Sequence, residues 1–108
     1  MADTSEYKAE IAKYTSSVND AAVEKMAKTY ALVMSNRDAR NVSCTDPAEK
    51  ETVRNNFLKK KLGLKNSDAD LDAAVDAVCV TMKAERLKNR LVFYYLLAEK
   101  FNKLGDFA

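Results

Sequence analysis

Apolar residues crowd together near the end of this chain. From Leu91 to Ala98 every position is apolar or aromatic, inside a stretch free of glycine and proline. A run of this length makes about two helical turns. Such a helix shows apolar surface on every side and must be enclosed by other elements. A bilayer needs about 20 such residues, so the run predicts a buried central helix and not a membrane span. Elsewhere the apolar positions recur at helical spacing. Tyr7, Ile11 and Tyr14 mark a first helix from about Thr4 to Tyr14, with Asp3 and Glu6 at capping-box spacing. Asn19 or Asp20 caps a second, whose buried stripe is Val23, Met26, Ala27, Tyr30 and Met34. From Ser35 to Thr45 the pattern fails, which predicts the longest loop.

Asp46-Pro47-Ala48-Glu49 combines an N-cap, a proline at the first helical position and an acid three residues after the cap. It opens a third helix that runs to about Leu62 with Val53, Phe57 and Leu58 inward. Gly63 suits the left-handed stop position and Leu64 the apolar contact that accompanies it. Ser67 and Asp70 open a fourth helix, with Leu71, Ala74 or Val75, Val78 and Met82 inward. A break near Leu87–Arg90, capped by Asn89, separates it from the helix that carries the apolar run to Leu104, where Gly105 stops it. The expected fold is all-α: one small domain over residues 1–108, with about five helices packed around the apolar C-terminal helix.

Composition narrows this further. A chain of 108 residues buries roughly 65% of its unfolded surface, enough for one core without staples. One proline and two glycines leave little room for a turn-rich β fold. The opening Met1-Ala2-Asp3-Thr4-Ser5-Glu6 has neither a basic nor an apolar segment, so no signal peptide is expected and the cytoplasm is the default location. There Cys44 and Cys79 are expected as reduced thiols, since they lack the close spacing of a zinc or redox motif. The absence of histidine removes the commonest general base, the commonest metal ligand and the usual pH switch. No cofactor, no metal and no enzymatic activity are expected.

Net charge is only +2. Residues 1–54 carry 8 basic and 9 acidic groups, and residues 55–108 carry 10 and 7. Neither half has the bias of a dedicated nucleic-acid binder. Two basic clusters stand out: Lys59, Lys60, Lys61 and Lys65 at the end of the third helix, and Lys83, Arg86, Lys88 and Arg90 at the end of the fourth. Cations gather at helix C-termini because the macrodipole favours them there. If the two ends adjoin, Lys59, Lys60, Lys61, Lys65, Lys83, Arg86 and Arg90 form a basic patch for phosphate or nucleic acid. Asp68, Asp70, Asp72 and Asp76 suggest a calcium loop, but the EF-hand positions for Gly and Glu fall on Ala73 and Cys79. The dipole explains acids at a helix start equally well. Cys44, just before a helix N-terminus and near Arg40, is a candidate reactive thiol. With Asp38 or Asp46 as the sole nearby bases, it is poorly equipped as a nucleophile. Cys79 follows Val75 by one helical turn and is expected to pack as a small hydrophobe.

The segments Ser43-Cys44, Asp46-Pro47, Phe57-Leu58-Lys59-Lys60-Lys61-Leu62-Gly63-Leu64, Met82-Lys83-Ala84 and Phe93-Tyr94-Tyr95-Leu96-Leu97-Ala98-Glu99 resemble those of the DUF2853 family, a small bacterial family defined by a domain of unknown function. The resemblance spans nearly the whole chain. It implies an all-helical single domain of bacterial origin, and it implies no activity and no catalytic residue. The expected role is therefore a non-catalytic cytoplasmic interaction or regulatory module that meets an unknown protein partner or a second copy of itself, away from any membrane. The alternative is a nucleic-acid-binding accessory protein that uses the basic helix ends.

Overall fold

The computed structural model describes residues 4–36, 40–85 and 88–106. Six α-helices account for most of it: α1 (Thr4–Ile11), α2 (Asp20–Thr29), α3 (Ala31–Ser35), α4 (Pro47–Thr52), α5 (Asp68–Thr81) and α6 (Arg90–Lys100). A π-helical segment, Val53–Lys61, continues α4, and a 3₁₀ turn, Leu104–Asp106, follows α6. Four of the expected starts are capped as the sequence predicts, while Asp3, the cap expected for the first helix, lies outside the described residues. Asn19, Asp46, Ser67 and Asn89 each accept a hydrogen bond from a backbone N–H in the first turn of the helix that follows, satisfying donors the helix itself cannot.

Several helix ends fall short of the sequence pattern. α1 stops at Ile11, and turns carry the chain on to Tyr14. α2 breaks at Tyr30, which leaves the short α3 as a separate piece. α6 ends at Lys100 and does not run to Leu104. Its stop signal is Asn102, in the left-handed region at φ 57°. The Asn102 N–H donates to the Glu99 carbonyl at 3.0 Å and the Lys103 N–H to the Ala98 carbonyl at 2.7 Å, the paired bonds of a Schellman ending. After glycine, asparagine is among the residues that adopt this conformation most readily.

Gly63 does take the left-handed conformation expected of it, at φ 66°. Its closing bond runs from Leu64 N–H to Leu58 carbonyl, 3.1 Å, one residue wider than an α-helix would need. The wider turn matches the i→i−5 register of the π segment. That register also shapes the packing. Lys50 pairs with Asp76 at 3.0 Å, Arg54 with Asp72 at 3.1 Å, and Lys59 with Asp68. These partners fix α4 and its continuation antiparallel to α5. The cations stand four and five residues apart, the acids four and four. The π register places Lys59 one turn from Arg54 over five residues, and so keeps it in step with an α-helical partner.

The loop between α3 and α4 contains an element the periodicity did not predict. β1 (Asn41–Val42) pairs antiparallel with β2 (Lys88–Asn89), Asn41 opposite Asn89 and Val42 opposite Lys88. Alternating side chains over two residues leave no readable pattern. The ribbon brings the start of α6 beside the start of α4.

The buried side chains form a single cluster with α6 at its centre. Leu91 to Ala98 are all buried within the one chain, by α1, α2, α5 and the ribbon. Leu96, on the mixed face of α6, is 7% exposed and lies beside Tyr14 and Val78, so α1 and α5 cover that face without a second subunit. Tyr94 and Tyr95 diverge as helical geometry requires. Tyr94 stacks on Phe57 with ring centroids 4.1 Å apart and meets Tyr30 edge-on at 5.2 Å. The Tyr95 hydroxyl accepts from the Asn19 N–H at 2.8 Å, pinning the entry to α2. Among the described residues no helix is long and apolar enough to cross a membrane.

Candidate functional site

The structure separates the residues that the sequence grouped as one basic patch. Lys59, Lys60, Lys61 and Lys65 are exposed near the start of α5, and Lys59 is paired with Asp68 there. Lys83 is exposed just past the far end of α5, about 20 Å away along a helix of that length. Arg90 leaves the patch altogether, because it is only 8% exposed. Arg86, and with it Arg37 and Asp38 of the loop, lies outside the described residues. Lys88, half-buried, donates to the Glu85 carbonyl. The acids of α5 are committed as well: Asp68, Asp72 and Asp76 pair with the cations of the preceding helix, and Lys59 holds the Asp68 carboxyl below the usual aspartate range. Among the described residues no group of three or more Cys, Asp or Glu side chains is placed to hold a metal ion.

The cysteines are also corrected. Cys44 and Cys79 are joined in a disulfide, with Cα atoms 5.9 Å apart and a sequence separation of 35. Neither is a reduced thiol, so Cys44 is not the free reactive thiol its position suggested. Two cysteines this distant in sequence can meet only through tertiary packing, here of the loop before α4 against the last turn of α5.

Arg90 is the polar centre of the molecule. Its guanidinium donates to the Tyr94 hydroxyl at 2.9 Å, to the Asn41 carbonyl at 3.3 Å, and to the Glu49 carboxylate, and it sits 5.6 Å from the centre of the Tyr94 ring. Its own N–H donates to the Arg40 carbonyl at 2.7 Å. One side chain thus ties together α6, β1 and α4. Burial opposes its charge, but Tyr94 and Glu49 outweigh burial and hold its pKa above the usual arginine value. Burial raises the Tyr94 pKa, and Arg90 pulls back against it. Sequence reasoning missed this role; the available signal was a lone arginine leading directly into an all-apolar run.

Two surface features remain. The first is α3, where Ala31, Leu32, Val33 and Met34 are four apolar residues in succession and none is buried. Leu32 is 84% exposed. Beside it Lys28 and Thr29, one turn earlier, are exposed as well. The second is a concavity of 420 Å³ walled by Glu6, Tyr7, Met34, Arg40 and Asn41, among others. Burial and the Glu6 carboxylate raise the Tyr7 pKa there, opposed by Arg40.

Comparison with known proteins adds one finding. A family described as protein of unknown function (DUF2853) matches residues 6–105. The chain belongs to this family. No curated protein matches it. The matched region of this DUF2853 protein takes in the disulfide, the Arg90 cluster and α3 alike.

Proposed function

We propose that this DUF2853 protein is a small, non-catalytic interaction or regulatory module that holds a protein partner against α3. The reading rests on the apolar segment Ala31-Leu32-Val33-Met34, of which Ala31 and Leu32 are exposed and Val33 and Met34 half-buried. This chain encloses eight consecutive residues of α6 and yet leaves Ala31 and Leu32 of α3 exposed, with Val33 and Met34 half-buried beside them. A contiguous exposed apolar surface with a polar border is typical of protein contact sites. Lys28 precedes Leu32 by one turn, and Lys25 lies one turn before that on the same exposed side. The partner that fits is a protein with an apolar residue set among carboxylates. A nucleic-acid role draws less support, since the exposed lysines sit at opposite ends of α5 and Arg90 is enclosed.

The test compares Leu32→Asp with Val80→Asp, a second exposed apolar residue (65% exposed) on α5. Both variants should keep the wild-type circular dichroism spectrum. A partner cross-linked to the wild-type protein should be lost with Leu32→Asp and kept with Val80→Asp. An equal set of partners for all three proteins refutes the assignment to α3. Binding to a 20-nucleotide RNA with a steep salt dependence, weakened by Lys60→Ala and Lys83→Ala, favours the nucleic-acid role instead.

A further inference from the structure

The disulfide lies at the edge of the core and not inside it. Cys44 and Cys79 are both half-buried, and their neighbours Ser43, Thr45 and Val80 are exposed, which sets the bond beside the surface. The bond ties the segment Ser43–Asp46, between β1 and α4, to the last turn of α5. Asp46 is anchored as the cap of α4, accepting from the Ala48 N–H at 3.0 Å and the Lys50 N–H at 3.1 Å, but the bonds that precede it are long. Asp46 N–H reaches the Ser43 carbonyl at 3.4 Å, and the Ser43 and Thr45 hydroxyls stand 3.5 Å apart, both at the long limit for hydrogen bonds. The elements on either side are held independently of the disulfide. Arg90 and the β2 pairing hold β1, while Glu49 and Lys50 hold α4 to α6 and α5.

We propose that Cys44 and Cys79 form an exchangeable redox site for thiol reductants, whose opening releases the segment Ser43–Thr45 while the helical core stays folded. In the forward direction a thiolate attacks one of the two sulfurs. A mixed disulfide forms, the Cys44–Cys79 bond breaks, and the other cysteine leaves as a thiolate. A second thiolate attacks the mixed disulfide and leaves as the small-molecule disulfide. Two protons from water complete the two cysteine thiols, and the protein has gained two electrons. A low-molecular-weight disulfide such as oxidised glutathione reverses each step. Attack needs only access and a thiolate.

The experiment equilibrates the full chain with reduced and oxidised glutathione, or with dithiothreitol, without denaturant. Thiol titration should count none in the oxidised protein and two after reduction, matching the two cysteines of the chain. Amide exchange at residues 43–45 should speed up about tenfold or more on reduction, as for a locally opened segment, while α6 keeps its protection and the circular dichroism spectrum is unchanged. The double variant Cys44→Ser/Cys79→Ser should show the reduced pattern at every glutathione ratio. Four results overturn the proposal: thiols that react only after denaturation, two free thiols in excess oxidised glutathione, global unfolding on reduction, or unaltered exchange at 43–45.

Discussion

Arg90 and Glu49 offer the sharpest test of how this molecule is held together. Their side chains are 10% and 19% exposed, so each charge depends on the other. Removing one partner of such a pair leaves a charge stranded in a poorly solvated place, at a cost of about 3–5 kcal/mol. Glu49 keeps some contact with water, which screens the stranded guanidinium and points to the low end, about 3 kcal/mol for Glu49→Leu. Arg90→Met also takes the donor from the Tyr94 hydroxyl and the Asn41 carbonyl, so its cost should reach about 4 kcal/mol. In the double variant neither charge is left behind. It should lie within about 2 kcal/mol of wild type, since well-packed apolar replacements of a buried pair are often near neutral. Urea unfolding followed by circular dichroism measures all four proteins. With a slope of about 1–3 kcal/mol per molar, a 3 kcal/mol loss lowers the midpoint by about 1–3 M. If the single variants each cost under about 1 kcal/mol, or if their costs simply add in the double variant, the two charges are not coupled and the account of Arg90 as the polar centre is wrong.

Leu96→Asp should abolish folding as seen by circular dichroism, because α1 and α5 enclose that side chain within one subunit and a buried unpaired charge has no compensation; a folded variant of either oligomeric state would contradict this. Gly63→Ala should destabilise by about 1 kcal/mol through backbone strain alone, since a Cβ there would meet nothing within 4 Å. Asn102→Gly should leave stability equal or slightly raised, because glycine takes φ 57° more readily than asparagine; a loss in urea unfolding would show that the asparagine side chain matters. Burial raises the pKa of Tyr30 and Tyr94 above the ordinary value of 10.0. The unfolded chain therefore gives up these protons first, so stability is intact below pH 10 and falls as pH rises beyond it. Tyr30→Phe should make that alkaline decline shallower in a series of thermal melts.

Much of the architecture was legible in the sequence, and the reason is locality. An N-cap acts within three residues of its helix, and Asn19, Asp46, Ser67 and Asn89 all do so. Helical spacing decides which side of an element turns inward, and Val23, Phe57, Leu71, Val78 and Met82 are all buried as that spacing requires. Helix ends were less legible, because the pattern of apolar residues outlasts the helix: Tyr14, Tyr30 and Phe101 still pack on the core after their helices have stopped.

Sequence by itself determined that this chain is helical, where α2, α4, α5 and α6 begin, and that residues 91–98 lie at the centre. A run apolar on all sides has no other stable place in water. Tertiary structure alone decided which distant residues meet. It joined Cys44 to Cys79, set the Arg90 guanidinium between Glu49, Asn41 and Tyr94, and placed two clusters of lysines at opposite ends of α5. Each of these depends on the angle and register at which whole helices pack. Those are set by the summed fit of many side chains, and no short window of sequence contains that sum.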